Sequence, residues 1–384
     1  MIKIDKFIPG GQAIATLPSG KKAFFWNALP GEEVVEYEIR KEKASYLEAV
    51  ATKIEKPSEF RVEPLDAHFL STSPFQILDY SYELKVKQEL VKEQYREQDI
   101  DVPLPEIVTD GKDYFYRNKA EYSLYWDKAT EKILPAVHRR GTHQKAPISS
   151  SALDRPEIWQ RAQEIINELN NRGEPAYKYQ SLLLRCDQKG NVSGGLFENR
   201  KPHPVFDTLK DDILGHTYSY SPNGFFQINL PVYELALMEI RKHVETPRVL
   251  DLYSGVGTIG LSLEAPESVT LVESNPSAFE ELKKNCENRK NARPLFKKSE
   301  EALDEIEKDQ TVILDPPRAG CDGKLLSRLL EVTPEKIIYL SCNPATQARD
   351  AKILSEKYRI KEIKLFNFFP RTPHIESLII FVLK

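Results

Sequence analysis

The sequence predicts an α/β fold with a C-terminal Rossmann-like sheet, preceded by an N-terminal OB-like β-barrel and a middle α+β domain. Three observations predict it. From about Ser221 onward, apolar runs of strand length alternate with helix-length segments, the signature of βαβ units. The first 58 residues hold short alternating runs separated by proline–glycine turns, which suits a small barrel. Between these regions helical and strand-like stretches mix, giving units at 1–58, 65–220 and 221–384. A chain of 384 residues is long enough for two or three separate cores.

In the first unit, the runs Ile2–Ile8, Ala13–Leu17, Lys22–Trp26, Val34–Ile39 and Tyr46–Ile54 read as five strands, with turns at Pro9-Gly10-Gly11, Pro18-Ser19-Gly20 and Pro30-Gly31. An OB-like barrel is often used for oligonucleotides, and it can equally be a barrel with no nucleic-acid contact. Phe24, Phe25 and Trp26 offer a base-stacking platform, but consecutive strand residues alternate faces, so at least one belongs to the core. The polar, proline-punctuated stretch 57–64 reads as a linker.

The middle unit opens with a helical stretch, Tyr80–Gln98, with Leu84, Leu90 and Val91 read on one side. Strand-like segments follow over 113–140. Arg117, Lys119, His138, Arg139, Arg140 and His143 make the most basic local region. It is either solvated surface or a contact for an RNA backbone. Ile158–Asn170 is an amphipathic helix, and Ser181–Cys186 with Asn191–Phe197 is a hairpin-like pair.

In the last unit, Pro231 sits at a helix start leading into Val232–Val244. Strands at Arg248–Tyr253, Val269–Glu273 and weakly near Pro294–Lys297 alternate with helices at Thr258–Leu263 and Pro276–Asn288. Val312–Leu314 and Ile337–Leu340 read as buried parallel strands, and Ile360–Phe369 with Ser377–Leu383 as an antiparallel edge pair closing the sheet.

Composition sets bounds. A net charge of −4 and a pI near 6.1 give no bulk sign of a nucleic-acid binder, so any basic surface is a local patch. The four cysteines, Cys186, Cys286, Cys321 and Cys342, form no C-x-x-C pair. That argues against a disulfide framework or zinc site and for a reducing compartment. The N-terminus lacks the apolar segment of a signal peptide, and no apolar run approaches membrane-spanning length. The expectation is a cytoplasmic protein without a membrane partner and without a metal ligand set, monomeric by default.

The chemistry concentrates at strand ends. Asp315-Pro316-Pro317-Arg318 follows one buried strand and Ser341-Cys342-Asn343-Pro344 the next. Ligands of open α/β sheets bind outside the carboxyl ends of the strands, so a carboxylate and a thiol leave neighbouring strands at one rim. Upstream, Asp251-Leu-Tyr253-Ser-Gly255-Val-Gly257-Thr-Ile-Gly260 contains G-x-G-x-x-G, and Glu273 ends the next strand. By itself this suits a dinucleotide as well as S-adenosylmethionine. The acidic strand end before the glycines, the closing antiparallel pair and the Asp-Pro-Pro run after the fourth strand favour the methyl donor. No G-K-[ST] follows, which excludes a kinase-type phosphate loop.

Cys342 narrows the reaction. An exocyclic amine has its own lone pair and needs no thiol. C5 of a pyrimidine is a poor nucleophile until something adds at C6, and a thiolate beside a methyl donor is suited to that addition. Cys186 and Cys286 read as small buried hydrophobes, and Cys321 as structural.

D-P-P-R-A-G, a spacer of sixteen residues, I-I-Y-L-S-C-N-P-A-T and then F-F-P-R-T-P-H-I-E closely resemble the RNA uracil-C5 methyltransferases, which make 5-methyluridine in 23S ribosomal RNA or in tRNA. The resemblance covers the chain: a segment similar to a TRAM domain, a central domain and a class I methyltransferase domain. It implies Cys342 as nucleophile on uridine C6 and Glu376 as the base that removes the C5 proton. It further implies Gln227, Tyr253, Glu273 and Asp315, with the Gly255 and Gly257 turn, as contacts of S-adenosylmethionine, Asp315 also facing the uracil. 23S rRNA is the favoured substrate because a TRAM-like segment is more suggestive of the rRNA enzymes. The alternatives are tRNA uridine 54, or a non-catalytic RNA-binding protein with a vestigial domain.

One departure stands out. Many members carry an iron–sulfur cluster on a C-x5-C-x2-C run and a fourth cysteine. Here Asp66, Thr72 and Phe75 take the three positions and Ser151 falls near the fourth. Thiolates hold such clusters and His68 alone cannot replace them, so no cluster is expected.

Overall fold

The computed structural model describes residues 1–101, 103 and 105–384. The N-terminal strands form one sheet in the order Ile2–Lys3, Glu33–Glu42, Tyr46–Lys56, Lys22–Trp26, Ala13–Thr16, Lys6–Phe7. The run expected as one first strand is split. Ile2–Lys3 pairs with Glu33–Glu42 and Lys6–Phe7 with Ala13–Thr16, while the Asp5 N–H donates to the Ile14 carbonyl at 2.8 Å. Residues 2–7 therefore bridge both edges and close the sheet on itself, which removes the exposed edges an open sheet would leave. Phe25 is fully buried, whereas Phe24 and Trp26 lie half-buried on the other face, as strand alternation requires.

A second, antiparallel sheet runs Lys145–Pro147, Lys132–His138, Lys119–Asp127, Tyr179–Cys186, Val192–Glu198. The helix Pro156–Asn171 buries Ile158, Ala162, Ile165, Ile166 and Leu169 against it, a helical stripe at spacings of three and four.

The C-terminal sheet has the order Ala292–Phe296, Ser268–Glu273, Arg248–Leu252, Gln310–Leu314, Lys336–Ser341, Glu376–Leu383, Tyr358–Phe366, Ile107–Val108. The first five strands are parallel and Glu376–Leu383 runs against them. Strand alternation divides the core between the two faces. Val249, Ile313, Ile338 and Ile380 face the helices Leu230–His243 and Pro276–Cys286. Leu250, Val312, Ile337 and Phe381 face Gly323–Val332 and Pro344–Leu354. Among the described residues no helix is long and apolar enough to cross a membrane.

Three expectations need correction. Tyr358–Phe366 is not an edge strand, because Ile107–Val108 pairs alongside it in parallel. The helix Tyr80–Arg96 does not pack with the middle sheet, and Leu90 and Val91 do not share a side. Val86 and Leu90 enter the N-terminal core, while Val91 and Tyr95 enter the C-terminal one; adjacent helical residues point about 100° apart, so one helix serves both cores. The hairpin of Leu209–Ile213 and His216–Tyr220, counted with the middle unit, buries Ile213, Tyr218 and Tyr220 in the core of the C-terminal sheet.

Candidate active site

Asp315 follows the last residue of the Gln310–Leu314 strand, and Cys342 the last of Lys336–Ser341. Glu376, expected between the last two strands, is instead the first residue of Glu376–Leu383. Ser341 pairs with Ser377 in the antiparallel register, so Cys342 and Glu376, one step further toward the rim, lie opposite each other. Glu376 is only 4% exposed, while Cys342 keeps partial access to solvent.

The electrostatics show how close these groups are. Burial, then the neighbouring Glu376, pushes the Cys342 thiol up to about 11, while Arg318 acts against them and hydrogen-bonds the sulfur. Burial, then Asp315, holds the Glu376 carboxyl well above the usual range, again opposed by Arg318. Burial alone pushes Asp315 up to about 7. His374 lies 3.5 Å from an Arg318 nitrogen and is pulled down to about 4 by burial and then by that cation. One thiol, two carboxyls, a guanidinium and an imidazole thus lie within electrostatic reach of one another at the strand ends. Clusters whose burial and like charges shift titration in this way are characteristic of catalytic sites. The other three cysteines are buried, their thiols raised to about 12, 11 and 12 for Cys186, Cys286 and Cys321, burial being the largest cause in each.

The glycine turn lies beside these strand ends. Gly255 and Gly257 have φ of +56° and +90°, conformations that glycine adopts at little cost. A Cβ on Gly255 would project into open space, whereas one on Gly257 would meet Leu282 at 2.6 Å. Glu273 accepts from the Gly255 N–H at 2.9 Å and the Ser274 N–H at 2.7 Å, which fixes the turn. Near it, Asp251 Oδ1 and Ser254 Oγ are buried without partners, as are both side-chain atoms of Asn229. Buried polar atoms are normally paired, so this open cradle with orphaned donors and acceptors fits a polar ligand such as S-adenosylmethionine. Tyr253, at φ +63°, places its hydroxyl beside Ser299. Gln227 is buried, and its carbonyl accepts from Asn118 at 3.0 Å.

A family model described as tRNA (Uracil-5-)-methyltransferase matches residues 277–384. The 23S rRNA (uracil(1939)-C(5))-methyltransferase RlmD of Vibrio campbellii is 27% identical over 99% of this chain and 95% of its own length. The structure of the Pyrococcus abyssi tRNA (uracil-54, C5)-methyltransferase in complex with S-adenosyl-L-homocysteine superposes with a TM-score of 0.77 at 26% identity, covering 100% of both chains. Along its whole length the chain is similar to RNA uracil-C5 methyltransferases. An RNA methyltransferase of Enterococcus faecalis is 28% identical over 92% of this chain and 91% of its own. These likenesses support S-adenosylmethionine-dependent methylation of uracil C5 in RNA.

Some residues lie elsewhere than the sequence predicts. Lys119, placed in the basic region, turns inward and donates to the Asn223 and Gly224 carbonyls at 3.3 and 3.1 Å; burial pulls it down to about 8. Arg140 stacks on Trp26, 4.3 Å from the ring centroid, which joins the middle sheet to the N-terminal one. Arg139, His138 and His143 remain exposed. Asn229 was missed, although its place in the same F-F-Q-I-N run as Gln227 was a usable signal. Arg318 and His374 lie inside the quoted motifs, but nothing in their spacing announces that they meet. Away from the site, Glu239, His243 and Glu362 bring possible ligand atoms within 4.8 Å of one another. Their carboxylates are already paired with Lys242 and Lys364 at 2.8 and 3.0 Å.

Proposed function

We propose that this enzyme methylates C5 of a uridine in 23S rRNA through a transient bond between Cys342 and C6 of the ring. The observation that carries this reading is the placement of Cys342 opposite Glu376 at the strand ends, with Asp315 and Arg318 beside them. The target uridine leaves its stack, since C5 and C6 are out of reach inside folded RNA. The Cys342 thiolate adds to C6, and the electrons of the C5–C6 double bond move toward C5 and O4. The Gly255–Gly257 turn with Gln227, Tyr253, Glu273 and Asp315 would hold S-adenosylmethionine, whose sulfonium would supply the methyl that C5 takes and would keep the broken bond's electrons as the neutral thioether. Glu376 then removes the C5 proton; that electron pair restores the double bond, and the C6–S electrons return to sulfur. Once sulfur is bound to carbon it no longer ionises, so the like-charge cost between Cys342 and Glu376 disappears when Glu376 must act as base.

Full-length similarity to the Vibrio RlmD supports rRNA as the substrate. The whole-chain likeness to the archaeal tRNA (uracil-54, C5)-methyltransferase supports the second reading, tRNA uridine 54. The N-terminal closed sheet acts as a TRAM-like RNA-binding unit, the enzyme works in the cytoplasm as a monomer, and it uses no iron–sulfur cluster. Mapping 5-methyluridine by mass spectrometry in a strain lacking this gene tests the substrate. Loss of the mark from 23S rRNA is expected; loss from tRNA alone selects the second reading, and loss from neither overturns both.

A further inference from the structure

The segment that delivers Glu376, residues 367–375, is gripped by charges that belong to a helix almost three hundred residues earlier in the chain. Lys87, on Tyr80–Arg96, donates to Asn367 Oδ1 at 2.7 Å and to the Phe369 carbonyl at 3.1 Å. It also pairs with Glu83 at 2.7 Å. Glu83 in turn accepts the Arg371 N–H at 3.0 Å, at a residue held at φ +63°. Glu83, Lys87 and Asn367 are 0% exposed. Further along the same helix, Tyr95 donates to Gln347 at 2.7 Å, and Gln347 donates to the carbonyl of Ser377 at 2.9 Å. The helix therefore holds the chain on both sides of Glu376.

Stability alone does not account for this arrangement. Removing two charges from water is costly, and well-packed apolar residues often do as well or better. What a buried, fully bonded pair provides is one geometry, because its partners must stay where the bonds are.

We propose that Glu83 and Lys87 are positioning residues for the proton-abstraction step, fixing the 367–375 segment so that Glu376 meets the C5 proton of the adduct. This rests on the reading of Glu376 as the base. The pair touches neither Cys342 nor the glycine turn, so losing it slows the base step and leaves thiol addition and methyl transfer intact.

The test uses the whole enzyme with two RNA substrates. On uridine RNA, the double variant Glu83→Gln/Lys87→Met should turn over on the order of 10²-fold more slowly, the usual cost of a misplaced catalytic group. It should also accumulate a covalent protein–RNA adduct, as Glu376→Gln should. On 5-fluorouridine RNA, where C5 carries no removable proton, it should form adduct at the wild-type rate. Asn367→Ala, which breaks the same link without altering a charge, should behave likewise and serves if the double variant does not fold. Wild-type turnover by a folded variant, or an equal loss of adduct formation on both RNAs, overturns the proposal. If Glu376→Gln traps adduct and these variants do not, only the positioning role falls. If Glu376→Gln traps none, the assignment of the base falls, and this proposal with it.

Discussion

Cys342 faces Glu376 across an antiparallel pair, one residue beyond the Ser341–Ser377 partners, and the acid makes the thiol harder to ionise. The proposed nucleophile and base thus oppose each other electrostatically until the sulfur is bonded. Arg318 is the counterweight, lowering the thiol and the acid alike.

Adduct formation should therefore depend steeply on pH. The thiolate is the attacking form, and with the thiol at about 11 its fraction rises roughly tenfold per pH unit below that value. Rates of adduct formation on 5-fluorouridine RNA should climb throughout pH 6 to 9. Arg318→Met removes the stabilising cation, so the thiol moves higher and the rate at any given pH falls by about tenfold, the equivalent of one unit. A profile flat across this range, or one that Arg318→Met leaves in place, would show that the thiol is activated by something else.

The second prediction concerns stability. Asp251 is fully buried, and burial pushes its carboxyl up to about 8, while the single N–H of Gly260, at 2.8 Å, acts the other way. The folded state therefore keeps a proton that the unfolded chain has released above about 4. Stability from this group is complete below the unfolded value and is lost as pH rises toward 8. Asp251→Asn preserves an acceptor for Gly260 and removes the titration. Its thermal midpoint, followed from pH 5 to 8, should decline less than that of the wild type; parallel curves would count against a protonated Asp251.

The two glycines of the turn should fail in different ways. Gly257→Ala forces a Cβ to within 2.6 Å of Leu282 and 2.9 Å of Leu261 at φ +90°, so the thermal midpoint should fall clearly. At Gly255 the added methyl meets no protein atom, and the left-handed backbone costs only about 1–2 kcal/mol. Gly255→Ala should remain folded yet bind S-adenosylhomocysteine at least tenfold more weakly by calorimetry, because its methyl occupies the cradle. Equal affinity in Gly255→Ala would remove the turn from the binding site.

The legibility of this site followed its physics. Asp315 and Cys342 end apolar runs, and a parallel strand buried on both faces announces itself by unbroken hydrophobicity; the rim was readable for that reason. Glu376 was not, since its residues alone describe an acid in a polar turn. Its strand lies between two others, Lys336–Ser341 and Tyr358–Phe366, and no local pattern in the acid's own neighbourhood encodes that enclosure. Ile107–Val108 was invisible because two residues carry no period. The split first strand was hidden because Asp5 alternates correctly and only its bond to Ile14 reveals the crossing between edges.

The last prediction concerns the segment where related enzymes place cluster ligands. Asp66 is 1% exposed. It accepts from the Ala152 N–H at 3.0 Å, Ser150 Oγ at 3.0 Å and Gln76 Nε2 at 2.9 Å. Gln76 Oε1 accepts the Asp66 N–H in return at 3.1 Å. Phe75 is buried against Phe7, with 5.5 Å between ring centroids, and Ser151 donates to Asp154. A carboxylate staple thus joins residues 64–78 to 150–154. Hydrogen bonds to a charged group are worth about 1.5–3 kcal/mol each, and those orphaned by truncation cost more than those exchanged. Asp66→Ala should therefore cost about 3 kcal/mol, read as lost hydrogen-exchange protection in both segments together, whereas Asp66→Asn, which keeps one acceptor oxygen, should cost less. Protein prepared without air should hold no stoichiometric iron or sulfide. If it does, or if Asp66→Ala leaves exchange in 150–154 untouched, the carboxylate is not what ties these segments together.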